Sequence, residues 1–141
     1  MVQLTEGQLE FMQQRIFASF ALVSPTTGLP LNTTVWVHYY QPTEKFYVIT
    51  NKTRAKWRFL RDGSKKIAIN IVAPQGYPYF SMNGTAEVFF EEDREDFWDI
   101  ILEIIEKYNA GNEVNRWLKR MKEAGDRLLV ELEPDNIYSS V

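Results

Sequence analysis

The chain has 141 residues, 45% of them hydrophobic, which is enough for one globular domain, residues 1–141, with a real core. Sixteen Lys and Arg against nineteen Asp and Glu leave a net charge of -3, an argument against a dedicated nucleic-acid binder. Zero cysteines and one histidine exclude a disulfide scaffold, Cys-ligated zinc, an iron–sulfur cluster, a thiol nucleophile and most His-built metal sites, so no metal is expected.

In chain order, Thr5 and Gln8 form a capping-box pattern, and Leu9, Met12 and Ile16 keep helical spacing after it. Met1 to Arg15 lacks the basic start and apolar run of a signal peptide, and no stretch reaches the roughly 18 to 20 apolar residues of a membrane span. A soluble cytoplasmic protein with no membrane association is expected. Phe17 to Val23 reads as a strand, Pro25 to Gly28 as a turn, and Leu31 to Tyr40 as a second strand with Leu31, Thr33, Val35, Val37 and Tyr39 on its core face. Phe46 to Thr50 is a third strand, and Thr53 to Arg61 a short helix that ends near Gly63. Lys66 to Ala73 and Phe80 to Phe90 are two more strands, joined by a Gly- and Pro-bearing turn over Pro74 to Pro78.

Asp93 is placed to cap a helix to Tyr108, and a second amphipathic helix runs from Asn112 to Glu123 with Val114, Trp117, Leu118 and Met121 on one face. Arg127 to Glu133 alternates Leu128, Val130 and Leu132, a closing strand. Six strands with late helices and no sustained strand–helix–strand alternation predict a mainly β (α+β) fold, a small antiparallel barrel with peripheral helices.

Charge along the chain is segregated. Lys52, Arg54, Lys56, Arg58, Arg61, Lys65 and Lys66 meet one acid, Asp62, whereas Glu91 to Lys107 holds eight acids and two cations. A strand end feeding a helix start favours a phosphate through backbone N–H groups and the helix dipole, and Thr50, Lys52, Thr53, Arg54 and Lys56 add donors there. The alternative is a solvated cationic face, or one paired with the acidic helix. Trp36, Tyr77 and Tyr79 could stack on a flat ligand or serve as packing. His38 shares a strand face with Thr34 and Trp36, opposite the core face, and is not expected to be an obligatory acid or base. Glu6 and Glu10 read as solvated charge.

The run Lys52-Thr-Arg54-Ala-Lys56-Trp-Arg58-Phe-Leu60-Arg61-Asp62 follows a strand ending at Thr50. With Asn83-Gly-Thr-Ala-Glu-Val88 and the close Arg127-Leu-Leu-Val-Glu-Leu-Glu-Pro134-Asp-Asn-Ile137-Tyr138, this order resembles the pyridoxamine-phosphate-oxidase-like split-barrel family over nearly the whole chain. The resemblance implies a six-stranded split β-barrel and a homodimer with flavin-type sites at the subunit interface. The cofactor it implies is FMN or, in one branch, the deazaflavin coenzyme F-420. It implies a phosphate held by Thr50, Asn51, Lys52, Arg54 and Lys56, a ring system along Thr34, Val35, Trp36 and Val37, and closure by Tyr77 and Tyr79 of the partner subunit. The implied activity is hydride transfer to or from a small conjugated organic substrate, with a non-catalytic flavin- or haem-binding protein on the same barrel as the other reading. The long acidic insertion from Asp93 to Glu123 is more like the deazaflavin branch, and the end Tyr138-Ser-Ser-Val141 lacks the closing Arg-Trp signature of true pyridoxamine-phosphate oxidases.

Overall fold

The computed structural model describes residues 3–141. Helix α1, Glu6–Met12, starts with the expected capping box between Thr5 and Gln8. Seven strands follow: β1 Ala18–Val23, β2 Pro30–Val35, β3 Val37–Tyr40, β4 Lys45–Asn51, β5 Lys66–Val72, β6 Tyr79–Phe89 and β7 Arg127–Ser139. Helix α2, Ala55–Asp62, lies between β4 and β5; α3, Phe97–Tyr108, and α4, Asn112–Ala124, lie between β6 and β7.

All pairings are antiparallel, in the order β2-β1-β5-β6-β7-β4-β3. The two edge strands, β2 and β3, are consecutive in the chain and separated by Trp36 alone. The sheet therefore has to curl until its edges meet at that residue. This is why the single strand expected from Leu31 to Tyr40 is two strands, seven in place of six. Its first half pairs with β1 and its second with β4, and Trp36 marks the change of partner.

Strand alternation sorts the core. Phe20, Val35, Val37, Phe46, Val48 and Ile69 point inside the curled sheet, while Tyr40, Tyr47 and Leu129 face outward and are covered by Phe97, Ile100, Ile101, Ile104 and Ile105 of α3. The acidic segment is thus an amphipathic lid on the outer wall, its apolar stripe inward.

Two boundaries differ from expectation. Asp93 does not cap α3. It closes a short 3₁₀ turn, Glu91–Asp93, by accepting the Phe90 N–H at 2.7 Å, and Arg94 then takes an extended backbone. The guanidinium of Arg94 is tied to Asp96 at 2.9 Å and to buried Glu131 at 2.9 Å, which delays the helix start to Phe97. The closing strand runs on to Ser139, past Pro134, because its pairing with β6 shifts register between Asn83 and Gly84, with Asp135 of β7 as the extra residue beside the proline.

Candidate functional site

A cleft of about 600 Å³ opens where the sheet edges meet, between β2, the end of β4, the start of α2 and one face of α4. Its cationic end is built locally. Asn51 Oδ1 accepts from the Thr53 N–H at 3.0 Å and from Thr53 Oγ1 at 2.6 Å, an Asx turn that leads the chain from β4 into α2. Arg54 is the N-cap of α2, and no side chain caps the helix there. The first-turn N–H groups and the positive end of the helix dipole are therefore presented at the cleft, beside Ala55 and Lys56.

Lys56 reaches across to β2, where its Nζ donates to Thr33 Oγ1 at 3.3 Å. Burial, and then the neighbouring charge of Arg54, push the Lys56 pKa below its ordinary value. No ion pair among the described residues neutralises either cation, and none joins the basic run to the acidic α3. Thr50, 4% exposed, lines the same end, and its hydroxyl has no hydrogen-bond partner among the described residues. A buried hydroxyl left unpaired costs about 1–3 kcal/mol. A half-buried lysine beside an exposed arginine, an uncapped helix start and an orphaned hydroxyl together fit a bound anion.

The other end is apolar and aromatic. Trp36 stacks on Tyr108 with ring centroids 5.3 Å apart and planes within 7°, and Tyr108 stacks in turn on Phe17 at 5.8 Å. Trp117 of α4 meets Trp36 edge-on at 5.4 Å, and Met121 lies one turn further along the same helix face. Ile49 and Leu31 complete the apolar wall.

Of the residues expected at the site, Thr34, Val35, Trp36, Thr50, Asn51, Arg54 and Lys56 line this cleft. Val37 does not. It is fully buried, with its N–H on Tyr108 Oη at 3.2 Å and its carbonyl accepting from Lys107 Nζ at 2.7 Å. Lys52 also lies outside the lining, its Nζ over the Phe90 ring at 5.3 Å from the centroid. Tyr77 lies in the β5–β6 turn and Tyr79 opens β6; both are exposed and packed edge-on at 6.2 Å, and neither lines the cleft. His38 faces Glu103, Nε2 to Oε1 2.9 Å, in a separate recess. Burial lowers its pKa against the opposing pull of that carboxylate.

Sequence reasoning missed Phe17, Leu31, Thr33, Ile49, Ala55, Trp117, Met121 and Arg127 as cleft residues. The register pairing Asn51 with Arg127, which places Arg127 there, is invisible without the fold. The i, i+4 pair Trp117 and Met121 was visible as an apolar face, but not what it faces.

A curled antiparallel barrel with a cleft cationic at one end and aromatic at the other defines a class of protein suited to a ligand that is flat and carries an anion. The chain belongs to the pyridoxamine 5'-phosphate oxidase family, whose model matches residues 4–140. Among curated proteins none matches. Solved structures of the same fold include an F420 reductase, at 16% identity over 96% of this chain and 98% of that one, TM-score 0.67. A conserved hypothetical protein from Mycobacterium tuberculosis matches at 18% identity over 96% of this chain and 84% of that one, TM-score 0.74. A pyridoxamine 5'-phosphate oxidase-related, FMN-binding protein from Nostoc punctiforme matches at 15% identity over 96% and 83%, TM-score 0.65.

Proposed function

We propose that the protein is an oxidoreductase that binds FMN in this cleft, acts as a cytoplasmic homodimer, and transfers a hydride to or from a small conjugated organic substrate. The observation that carries the reading is the uncompensated pair Arg54 and Lys56 beside the orphaned Thr50 hydroxyl, facing the Trp36 wall. Arg54 and Lys56 would hold the phosphate by charge-assisted hydrogen bonds, Thr50 would donate its hydroxyl proton, and Trp36 and Ile49 would flank the ring. Bound FMN would supply the hydride chemistry. The lining residues include no carboxylate and no imidazole, so the accompanying proton is assigned to solvent.

FMN is favoured over the deazaflavin F-420 by how the nearby cations are engaged, Arg127 of the cleft lining being paired with its neighbour Asp126. An acidic tail beyond the first phosphate needs further cations. Arg58 donates to the Thr53 carbonyl at 3.1 Å, Arg61 pairs with Asp62 at 2.7 Å, and Lys65 donates to the Leu60 carbonyl at 3.0 Å. The homodimer is supported by Tyr77 and Tyr79, exposed and absent from the lining of their own cleft, and by Phe17 at its rim, 61% exposed.

Titration of the apoprotein with FMN and with F-420 under matched salt tests the reading. FMN at least as tight as the deazaflavin is expected; deazaflavin binding tenfold tighter, about 1.4 kcal/mol, would reverse the choice of cofactor, and binding of neither would end it. Turnover with an electron acceptor separates an enzyme from a carrier that only binds. His38→Ala is expected to keep most of that turnover, because His38 lies outside the cleft; a loss of about a thousandfold, within the reach of acid–base catalysis, would contradict the assignment of the proton to solvent.

A further inference from the structure

Helix α4 carries four cations, and they are not engaged alike. Arg116 Nη1 is paired with Glu113 at 2.9 Å and Lys119 Nζ with Glu123 at 3.9 Å, each about one turn away on the same helix. Lys122 lies over the Trp98 ring, on the outer wall. Arg120 has no carboxylate partner among the described residues, and its Cζ lies over the Trp117 ring, 5.1 Å from the centroid. Of the two indoles beneath these cations, only Trp117 lines the cleft.

An arginine laid on an aromatic face is held there without using its N–H groups. The planar guanidinium keeps its donors at the edge, in the fork that matches a carboxylate with two parallel hydrogen bonds. Contact with the indole also restricts the side chain, so less freedom is lost when a ligand takes the fork.

Charge balance separates this fork from the cofactor's end. The cleft lining holds Arg54, Lys56 and Arg127 and no carboxylate. Arg54 and Lys56 meet the proposed phosphate, and Arg127 is paired through Nη1 with Asp126 beside it in the chain. Arg120 is left over, at the aromatic end, where its indole meets Trp36 edge-on at 5.4 Å. An acidic cofactor tail would leave from the phosphate, at the α2 end, and does not account for a cation on the α4 rim. A second anionic molecule entering over α4 does.

Resting on the cofactor reading above, we propose that Arg120 is a specificity-determining residue, which takes the carboxylate of an anionic co-substrate at the α4 rim of the cleft and favours it over the uncharged analogue. The cofactor's affinity is set at the other end, by Arg54, Lys56 and Thr50, so the two are separable by mutation.

Calorimetric binding of cinnamate and of cinnamamide to the FMN-loaded protein tests this, the two probes sharing a skeleton and differing in charge. At low salt wild type is expected to bind cinnamate about fivefold or more tightly than cinnamamide, a preference that shrinks as salt is added. Arg120→Met, which keeps an unbranched stem on the indole, is expected to bring that preference below about twofold while FMN affinity moves less than about twofold. Arg116→Met, which removes an equal charge from the same helix, is expected to leave the preference unchanged, so that loss of the fork is told apart from loss of positive field. Both positions are exposed, where substitutions change stability little. Equal binding of the two probes by wild type, or a preference that Arg120→Met keeps or Arg116→Met loses equally, would overturn the proposal. So would a loss of FMN or F-420 affinity in Arg120→Met to match that of cinnamate, which would give the guanidinium to the cofactor. Were FMN not to bind wild type at all, the cofactor reading would fall; a cinnamate preference lost in Arg120→Met would still support the fork in the FMN-free protein, and one indifferent to Arg120 would sink it as well.

Discussion

Trp36 and Tyr108 lie face to face, ring centroids 5.3 Å apart and planes within 7°, so the residue that divides β2 from β3 is held by the last residue of α3. The phenol also holds the backbone on either side of the barrel seam. Tyr108 Oη donates to the Ile16 carbonyl at 2.7 Å and accepts from the Val37 N–H at 3.2 Å, and burial pushes its pKa up to about 12. Tyr108→Phe keeps the stack and removes both hydrogen bonds, leaving two backbone groups in a half-buried place without a partner. A loss of about 1–3 kcal/mol in urea unfolding is expected, with Trp36 emission little changed. Tyr108→Ala is expected to cost more and to shift that emission, since it also removes the ring on which the indole rests.

Gly84 stands at the register shift between β6 and β7. A Cβ there would come within 3.0 Å of the Glu133 carbonyl oxygen and of Leu132 Cδ1, and 3.1 Å from the Asp135 N–H. Two of those three atoms are backbone and cannot rotate away. Gly84→Ala is expected to destabilise by about 1–3 kcal/mol, the usual range for overpacking. Thermal unfolding of the variant against wild type measures it, and an unchanged midpoint would show that the strands separate there at no cost.

The element order was legible because the apolar alternation in β1 and β5 has one buried face, β4 and β7 carry short apolar runs buried on both, and the turns carry Gly, Pro and Asp. The break at Trp36 was not. Leu31 to Tyr40 alternates without interruption, and a change of strand partner leaves no mark in a period-two pattern. Asp93 looked like a helix cap since cap chemistry is local, whereas the competitor that moved the helix start, the Arg94 pairing with Glu131, spans 37 positions of sequence. At the site, Thr50, Arg54 and Lys56 were readable because a strand end, a helix start and a cation cluster are contiguous. Lys52 belonged to the same run but turns to Phe90, and Arg127 and Trp117 arrive from elements more than 50 residues away, where only the fold could bring them.

Lys56 offers opposite signs in two measurements. In the free protein its ammonium is desolvated next to Arg54, so Lys56→Met removes an unfavourable charge and keeps the aliphatic stem. The unfolding free energy without cofactor is expected to be unchanged or raised. FMN affinity is expected to fall by about 1.5–3 kcal/mol, the range for a hydrogen bond to a charged group, and with a shallower salt dependence. A stability loss with no loss of affinity would return Lys56 to the role of a structural tie to Thr33.

Lys107 sets a pH dependence with a definite sign. Burial alone pushes its pKa from 10.5 down to about 7, while its Nζ donates to the Val37 carbonyl. The groups around it are His38 and the exposed Glu103, the Tyr108 ring at 5.0 Å, and Arg15, whose guanidinium bonds the Lys107 and Asn109 carbonyls. Between about pH 7 and 10.5 the unfolded chain holds a proton on this lysine that the folded chain does not, so stability contributed by this group rises with pH across that window. Below pH 7 both states are protonated and the full cost of burying the charge is present. The neutral amine still donates to Val37, so deprotonation relieves the charge without breaking the tie. Wild type should therefore gain on Lys107→Met as pH rises from 7 toward 10, at no more than about 1.4 kcal/mol per pH unit, in urea midpoints measured on both. The variant is expected to be the more pH-independent of the two, offset by the lost hydrogen bond to Val37. Parallel curves would mean that Lys107 stays charged in the fold, with its ammonium reaching water past Glu103.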